Sequence, residues 1–252
     1  MTTAPIQLYQ FPISHYCEKI RWALDFKELE YQKINWLPGL HLRAAKKIAM
    51  TSNVPILKHG TNIIQGSAQI INYLEAHFPG PSLDFEDPQL TEQAKAWERF
   101  ADEQIGPHTR RIIYHDLLNY PKLVIPLFAH EGPWYSGVYF KLSYPKLSQI
   151  MRKVMKINAA HVAESKRILE AALNKLNDTL KVKQTDSSKP AYLVGDRFSR
   201  ADLSVSALLA PLFLASKYGL NWPEVWPPEL QTLLDSYQAQ LDPAKRWYQD
   251  HR

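Results

Sequence analysis

The hydrophobic period of this chain changes once, near residue 80, and that change limits the folds open to it. Before it, alternating segments trade places with helical ones. Ile6 to Phe11 alternates apolar and polar residues and reads as a strand stopped by Pro12. Cys17, Ile20 and Leu24 recur at helical spacing between Tyr16 and Phe26. Tyr31 to Trp36 reads as a second strand closed by Pro38-Gly39, and His41 to Met50 as a polar, basic helix. Pro55–His59 and Asn62–Ile64 form a hairpin across Gly60-Thr61, and Ser67 opens a helix with Ile70, Leu74 and Phe78 on one face. The order β-α-β-α-β-β-α, a βαβ unit followed by a ββα unit, is what a four-stranded mixed sheet with helices on its faces requires.

Pro79-Gly80-Pro81 and the acidic run that follows mark a domain boundary, giving a first domain over 1–80, a linker over 81–88 and a second domain over 89–252. Beyond it strand signals nearly vanish, and the second part reads as all-α. Ala94, Trp97, Ala101 and Ile105 predict a long helix from Gln89, bent at Gly106-Pro107. Glu131 to Pro145 reads as irregular and aromatic, and Lys181 to Pro190 as a surface loop. Between these, Ile168, Leu169, Ala172, Leu173, Leu176 and Leu180 mark an amphipathic helix. Ser199-Arg-Ala-Asp202 is a capping box, with Phe198 and Leu203 as the two ends of a hydrophobic staple, and the apolar run behind it predicts a central buried helix.

Composition excludes several classes of function. Seven Trp, thirteen Tyr and nine Phe in 252 residues supply a core that disordered chains lack. The single cysteine, Cys17, excludes an intrachain disulfide and a multi-cysteine metal site, and His108 and His115 are too poorly partnered in sequence to suggest a metal. A net charge of +5 is too diffuse to predict nucleic-acid binding. No signal peptide or membrane span is evident, so the expected location is cytoplasmic, with neither nucleic acid nor membrane as a partner.

Three places could carry chemistry. Pro12-Ile13-Ser14-His15-Tyr16-Cys17 joins the first strand to the first helix, where unpaired N–H groups and the helix dipole favour an anion near Ser14. Ser14 and Cys17 have the spacing of a C-x-x-C motif, but one sulfur cannot close a disulfide. Cys17 falls on the apolar face and reads as a packing residue. Val54-Pro55 precedes a strand, where a cis proline would expose the backbone of the residue before it. Gly66-Ser67 heads a helix and could take a carboxylate; a simple N-cap explains Ser67 equally well.

In combination these motifs resemble the cytosolic glutathione transferases, a thioredoxin-like domain followed by a helical one, over most of the chain. Ser14-His-Tyr-Cys-Glu-Lys-Ile-Arg21 is similar to the first-helix motif of the serine-type members, in the bacterial-like manner, which implies Ser14 as the catalytic residue. Val54-Pro55 matches the family's Val-Pro, implying a cis proline and a valine backbone that holds the cysteinyl part of glutathione, with Asn53 beside it. Gly66-Ser67-Ala-Gln-Ile-Ile-Asn-Tyr-Leu74 matches the segment that takes the γ-glutamyl group, and the capping box matches that of the family's helical domain. His41, like Arg43, lies where the family often places a basic partner for the glycyl carboxylate. The resemblance further implies a homodimer, glutathione as co-substrate, no metal, and attack on a small electrophile in a pocket built from Ile13, His108, Arg111, Tyr114 and His115, closed by Trp134 or Tyr135.

Two departures are evident. The acidic residue usually found before the serine is Gly66, with Gln65 one place earlier, so the glutathione ammonium group is expected to be held more weakly, or by a carboxylate elsewhere, across the dimer interface. Tyrosine-type members carry their catalytic tyrosine at the position of Gln10; Tyr9 is expected on the other strand face, in the core. The rival expectation is a non-catalytic binding or regulatory protein on the same scaffold, and a glutathione-dependent reductase is disfavoured because position 14 is not cysteine.

Overall fold

The computed structural model describes residues 4–183 and 191–252. Four strands form one mixed sheet in the order β2-β1-β3-β4: β1 (Ile6–Gln10), β2 (Tyr31–Asn35), β3 (Ile56–His59) and β4 (Asn62–Gln65). β1 runs parallel to β2, as the intervening helix α1 (His15–Phe26) demands, and antiparallel to β3, which turns tightly into β4. The helices α2 (His41–Ile48) and α3 (Ser67–His77) complete this half.

The second half is helical. α4 (Pro88–Phe100) runs through a π-helical turn over Ala101–Ile105 into α5 (Gly106–Leu117). The expected bend therefore takes the form of a widened turn just ahead of Pro107, which has no N–H to give to a regular helix. Gly106 is needed there, because a Cβ would collide with the Tyr16 hydroxyl of α1. α6 (Pro121–Ala129), α7 (Ser136–Val154), α8 (Ala159–Lys183), α9 (Arg200–Leu209), α10 (Pro228–Tyr237) and α11 (Asp242–His251) follow.

Residues 136–145 are not irregular: they are the first half of α7, whose Phe140, Tyr144, Leu147 and Met151 are buried at helical spacing despite Pro145. The loop expected over 181–190 is helical through Lys183, and 184–190 lie outside the described residues. Tyr9 is not in the core: it is half-buried, 5.0 Å from the Trp36 ring and bonded to Gln7, while its neighbour Gln10 is buried.

The segment carrying α6 and α7 folds back onto the edge of the sheet. Glu131 meets Lys33 at 3.2 Å and accepts from Asn35 at 3.0 Å, and the Tyr139 hydroxyl donates to the Pro38 carbonyl at 3.0 Å. The two halves are also joined through buried charge. Lys19 of α1 lies 2.8 Å from Glu98 and 2.9 Å from Asp102, and Arg200 of α9 bridges Glu98, Asp84 and Asn72. α9 is buried along its whole length, with the expected capping box formed and Phe198 and Leu203 both in the core.

Candidate functional site

The strand register gathers the sequence motifs at one end of the sheet. Tyr9 pairs with Ile56, so the chain leaving β1 and the chain entering β3 emerge side by side. Ile56 pairs with Gln65, which brings Gly66-Ser67 to the same end, and Gln10 pairs with Asn35, which brings the β2–α2 turn there too. Four connections thus converge: Phe11–Ser14, Trp36–His41, Thr51–Pro55 and Gly66–Ser67.

Ser14 is the N-cap of α1. Its Oγ accepts from the Cys17 N–H at 3.4 Å, a long bond, and its hydroxyl proton remains free to be donated. The turn beneath it is braced by Arg21, which donates to the Pro12 carbonyl (3.1 Å), Gln10 (2.6 Å), Glu18 (2.8 Å) and the Tyr218 carbonyl (3.1 Å). Tyr218 in turn donates to the Ile13 carbonyl at 2.8 Å. Cys17 is fully buried, and burial pushes its thiol pKa up, which suits an inert packing residue. Tyr16 donates to the Asp102 carbonyl at 2.7 Å, so its phenol is committed to the domain interface.

The Val54–Pro55 peptide is cis, and neither backbone polar group of Val54 has a bonding partner among the described residues. The loop before it is tied down by Gln65, whose side chain accepts from the Thr51 N–H (3.2 Å) and donates to the carbonyls of Thr51 (2.9 Å) and Asn53 (2.8 Å). Gln65 is therefore a brace for Asn53 and Val54 rather than a substitute for the missing acid. Gly66 donates to the Pro55 carbonyl at 3.1 Å and adopts φ 99°, while Ser67 opens α3 with its residue largely buried.

His41 stands edge-on to Phe11 at 4.7 Å and accepts from the Gly39 N–H through Nδ1 at 3.2 Å, which leaves Nε2 as the protonated nitrogen. Burial lowers its pKa, so it offers a neutral hydrogen-bond donor and not a fixed charge.

α5 meets α1 at Tyr16 and has two distinct rows. His108, Arg111 and His115 face the rest of the helical half. His108 meets the Ser165 hydroxyl at 3.0 Å, and Arg111 donates to Ser165 (2.7 Å) and to the Met155 carbonyl (2.9 Å). His115 pairs with Asp116 at 2.6 Å, and its carbonyl accepts from Arg152. The structure does not bring these three to Ser14, because a helix turns 100° per residue and this row points at α7 and α8. Gly106, Arg110 and Tyr114, spaced by four, make the other row, which meets α1 at Tyr16. Tyr114 is buried, 6.2 Å from Phe128. Trp134 is almost fully exposed, with Tyr135 beside it at 5.7 Å.

The sequence motif includes Arg21 without revealing its bracing role, and it does not distinguish Arg110. Arg21 was visible as a charge within the otherwise apolar face Cys17-Ile20-Leu24; Arg110 carried no such signal. Among the described residues no group of three or more His, Cys, Asp or Glu is gathered to hold a metal, and no helix is long and apolar enough to cross a membrane. A small surface cavity of about 280 Å³, lined by Leu212–Leu214, Gln231, Leu234, Asp235 and Gln238, includes no residue of the sheet-bearing half.

Residues 8–82 match the family model described as the glutathione S-transferase N-terminal domain. The chain is 25% identical over 224 residues to glutathione S-transferase TCHQD of Arabidopsis thaliana, covering 83% of this chain and 77% of the relative. It is 28% identical over 238 residues to glutathione S-transferase 1 of Dianthus caryophyllus, covering 93% and 88%. Among solved structures, the β-etherase LigF of Sphingobium sp. strain SYK-6 superposes with a TM-score of 0.62 at 22% identity, covering 98% of this chain and 99% of that one. Ure2p in complex with glutathione gives 0.63 at 15% identity, over 98% and 90%.

Proposed function

We propose, for a chain whose fold and relatives are those of the glutathione transferase superfamily, that it is a serine-type transferase which binds glutathione across the four converging connections. The observation that carries this reading is the register itself: it sets the Ser14 N-cap, the Val54 backbone ahead of a cis proline and the Gly66-Ser67 helix start at one end of the sheet. Val54, braced by Asn53 and Gln65, would pair with the cysteinyl backbone. Gly66 and Ser67 would take the γ-glutamyl carboxylate, and His41 Nε2 would donate to the glycyl carboxylate.

Ser14 would then donate its hydroxyl proton to the glutathione sulfur. Free thiols of this kind have a pKa near ~8.5, so only a few per cent is thiolate at neutral pH. One charge-assisted hydrogen bond and a helix terminus together supply roughly 2–4 kcal/mol, enough to lower that pKa by one to three units. The thiolate attacks a small apolar electrophile at carbon, forming a thioether and expelling the leaving group. Ile13 and Tyr114 would line that pocket; His108, Arg111 and His115 have other partners and are left out of it.

Calorimetric titration with glutathione, followed by conjugation of a chlorodinitrobenzene, tests the reading: binding at millimolar or better and turnover support it, and absence of binding ends it. The second reading, a binding or regulatory protein without efficient chemistry, is favoured by Gly66, since Gln65 is committed to Thr51 and Asn53. Binding without turnover would select that reading. A homodimer is expected of either, and light scattering measures it.

A further inference from the structure

We propose that the outward face of α7, with the basic turn into α2 beside it, is a docking surface for an anionic lipid bilayer, on which the protein lies without crossing it.

The net charge of +5 is gathered on two segments. Residues 31–74 and 132–163 carry ten Lys and Arg and no Asp or Glu, while the rest of the chain holds twenty basic against twenty-five acidic residues. The fold brings the two acid-free segments together. The Tyr139 hydroxyl donates to the Pro38 carbonyl and lies so near Gly39 that a Cβ there would stand 2.6 Å from it; a Cβ on Gly132 would stand 3.0 Å from the Leu37 side chain. Glu131, at the border, is held by Lys33 and Asn35. On the α2 side Arg43, Lys46 and Lys47 are exposed, beside the half-exposed Leu40 and Leu42.

α7 turns Phe140, Tyr144, Leu147 and Met151 inward, so its opposite face carries Val138, Leu142 and Pro145. A helix face in water is ordinarily polar. Here Val138 is 60% exposed, Leu142 80%, and Trp134, one turn before Val138, 94%. Lys141 and Lys146 flank this stripe on its two sides and Lys153 lies further along it, all exposed. An apolar stripe headed by tryptophan and edged by lysines is what a helix lying in a bilayer interface presents: indole and aliphatic groups enter the acyl boundary, and the ammonium groups reach the phosphates. Among the described residues no helix is long and apolar enough to cross a membrane, and lying on one does not require it. A second copy fits this face poorly, because a twofold contact would set Lys141, Lys146 and Lys153 against the same lysines with no acid in 132–163 to meet them. Nucleic acid would answer the charge but not the aliphatic stripe.

The test is flotation of the full chain with vesicles of phosphatidylcholine alone, or with roughly one-third phosphatidylserine. The parent should bind the mixed vesicles, less so as salt rises, and the neutral ones far more weakly. Lys141→Gln with Lys146→Gln should weaken binding about 25-fold, roughly fivefold for each charge. Val138→Ser with Leu142→Ser should weaken it by about tenfold or more. Brominated lipid should quench the parent's tryptophan fluorescence, and Trp134→Phe should remove that quenching while still binding. These side chains are exposed, so melting temperatures should stay with the parent's. Failure of the parent to bind mixed vesicles overturns the inference. So does binding that ignores both the serine substitutions and the brominated lipid, which would be charge alone. A serine variant that falls from dimer to monomer in light scattering would assign the face to a second copy, and tighter binding to duplex DNA than to the vesicles would assign it to nucleic acid; either result overturns the proposal.

Discussion

Ser14→Ala separates the two tasks assigned to one hydroxyl. As a cap it accepts the Cys17 N–H across 3.4 Å, so its removal should cost the low end of the usual capping range, about 0.5 kcal/mol. For a chain of this length that lowers the melting temperature by only ~1 °C. As a donor to bound thiolate the same hydroxyl is worth about 1.5–3 kcal/mol, because the acceptor is charged. Divided by ~1.36 kcal/mol per unit, this raises the pKa of the bound thiol by about one to two units. The assay is a pH titration of the thiolate's ultraviolet absorbance with glutathione saturating, run beside a melting curve. The expected result is a marked rise in thiol pKa with almost unchanged stability. A variant that still binds glutathione and whose thiol titrates with the parent's would refute the argument, leaving Ser14 as a cap alone.

Other expectations follow from the same geometry. Burial and then Arg110 hold His15 neutral, with a pKa lowered to about 3, whereas in the unfolded chain it titrates near 6.5. Its contribution to stability is complete above pH 6.5 and is lost as pH falls, about 2 kcal/mol of it by pH 5, so His15→Asn should flatten the acid side of a urea-midpoint profile. Gly66→Ala should destabilise by about 1–3 kcal/mol on denaturant unfolding, because φ 99° is a backbone region nearly restricted to glycine and the new Cβ would stand 2.5 Å from Gln69 Oε1. Glu98→Ala should cost about 3–5 kcal/mol by the same measurement, since it strips a partner from the buried Lys19 and Arg200 together, whereas Glu98→Gln should cost less.

The sheet and its helices were legible because period, turn residues and caps agreed. Alternation gave β1, Gly60-Thr61 gave the hairpin, and Ser199 with Asp202 gave the start of α9. α7 was hidden by Pro145 and by aromatics whose spacing, Phe140-Tyr144-Leu147-Met151, is helical only when read across the proline. Gln10 and Tyr9 exchanged their expected places because alternation assumes that a polar side chain faces water. Here Arg21 and Asn35 give Gln10 hydrogen-bonding partners inside the fold, and Tyr9 lies against Trp36 instead. At the site, the backbone positions could be matched by motif, but the orientation of α5 could not. Arg110 and Arg111 are neighbours in sequence, and only the contact of Gly106 with Tyr16 decides which of them turns towards α1.

The charges on α1 have a further consequence, for the order in which the chain acquires its shape. Glu18 is sealed inside with Arg21, and it is completed by Tyr248 at 2.5 Å and Arg252 at 2.7 Å, while the Trp22 indole donates to the His251 carbonyl at 2.6 Å. More than two hundred residues of synthesis separate these partners. A nascent chain emerging from the ribosome would carry α1 with an incompletely neutralised acid and an open flank until residues 248–252 are released. The amino-terminal half is thus a template that waits for its clasp, and a fragment cut near residue 82 should expose that flank to proteases and to other copies of itself.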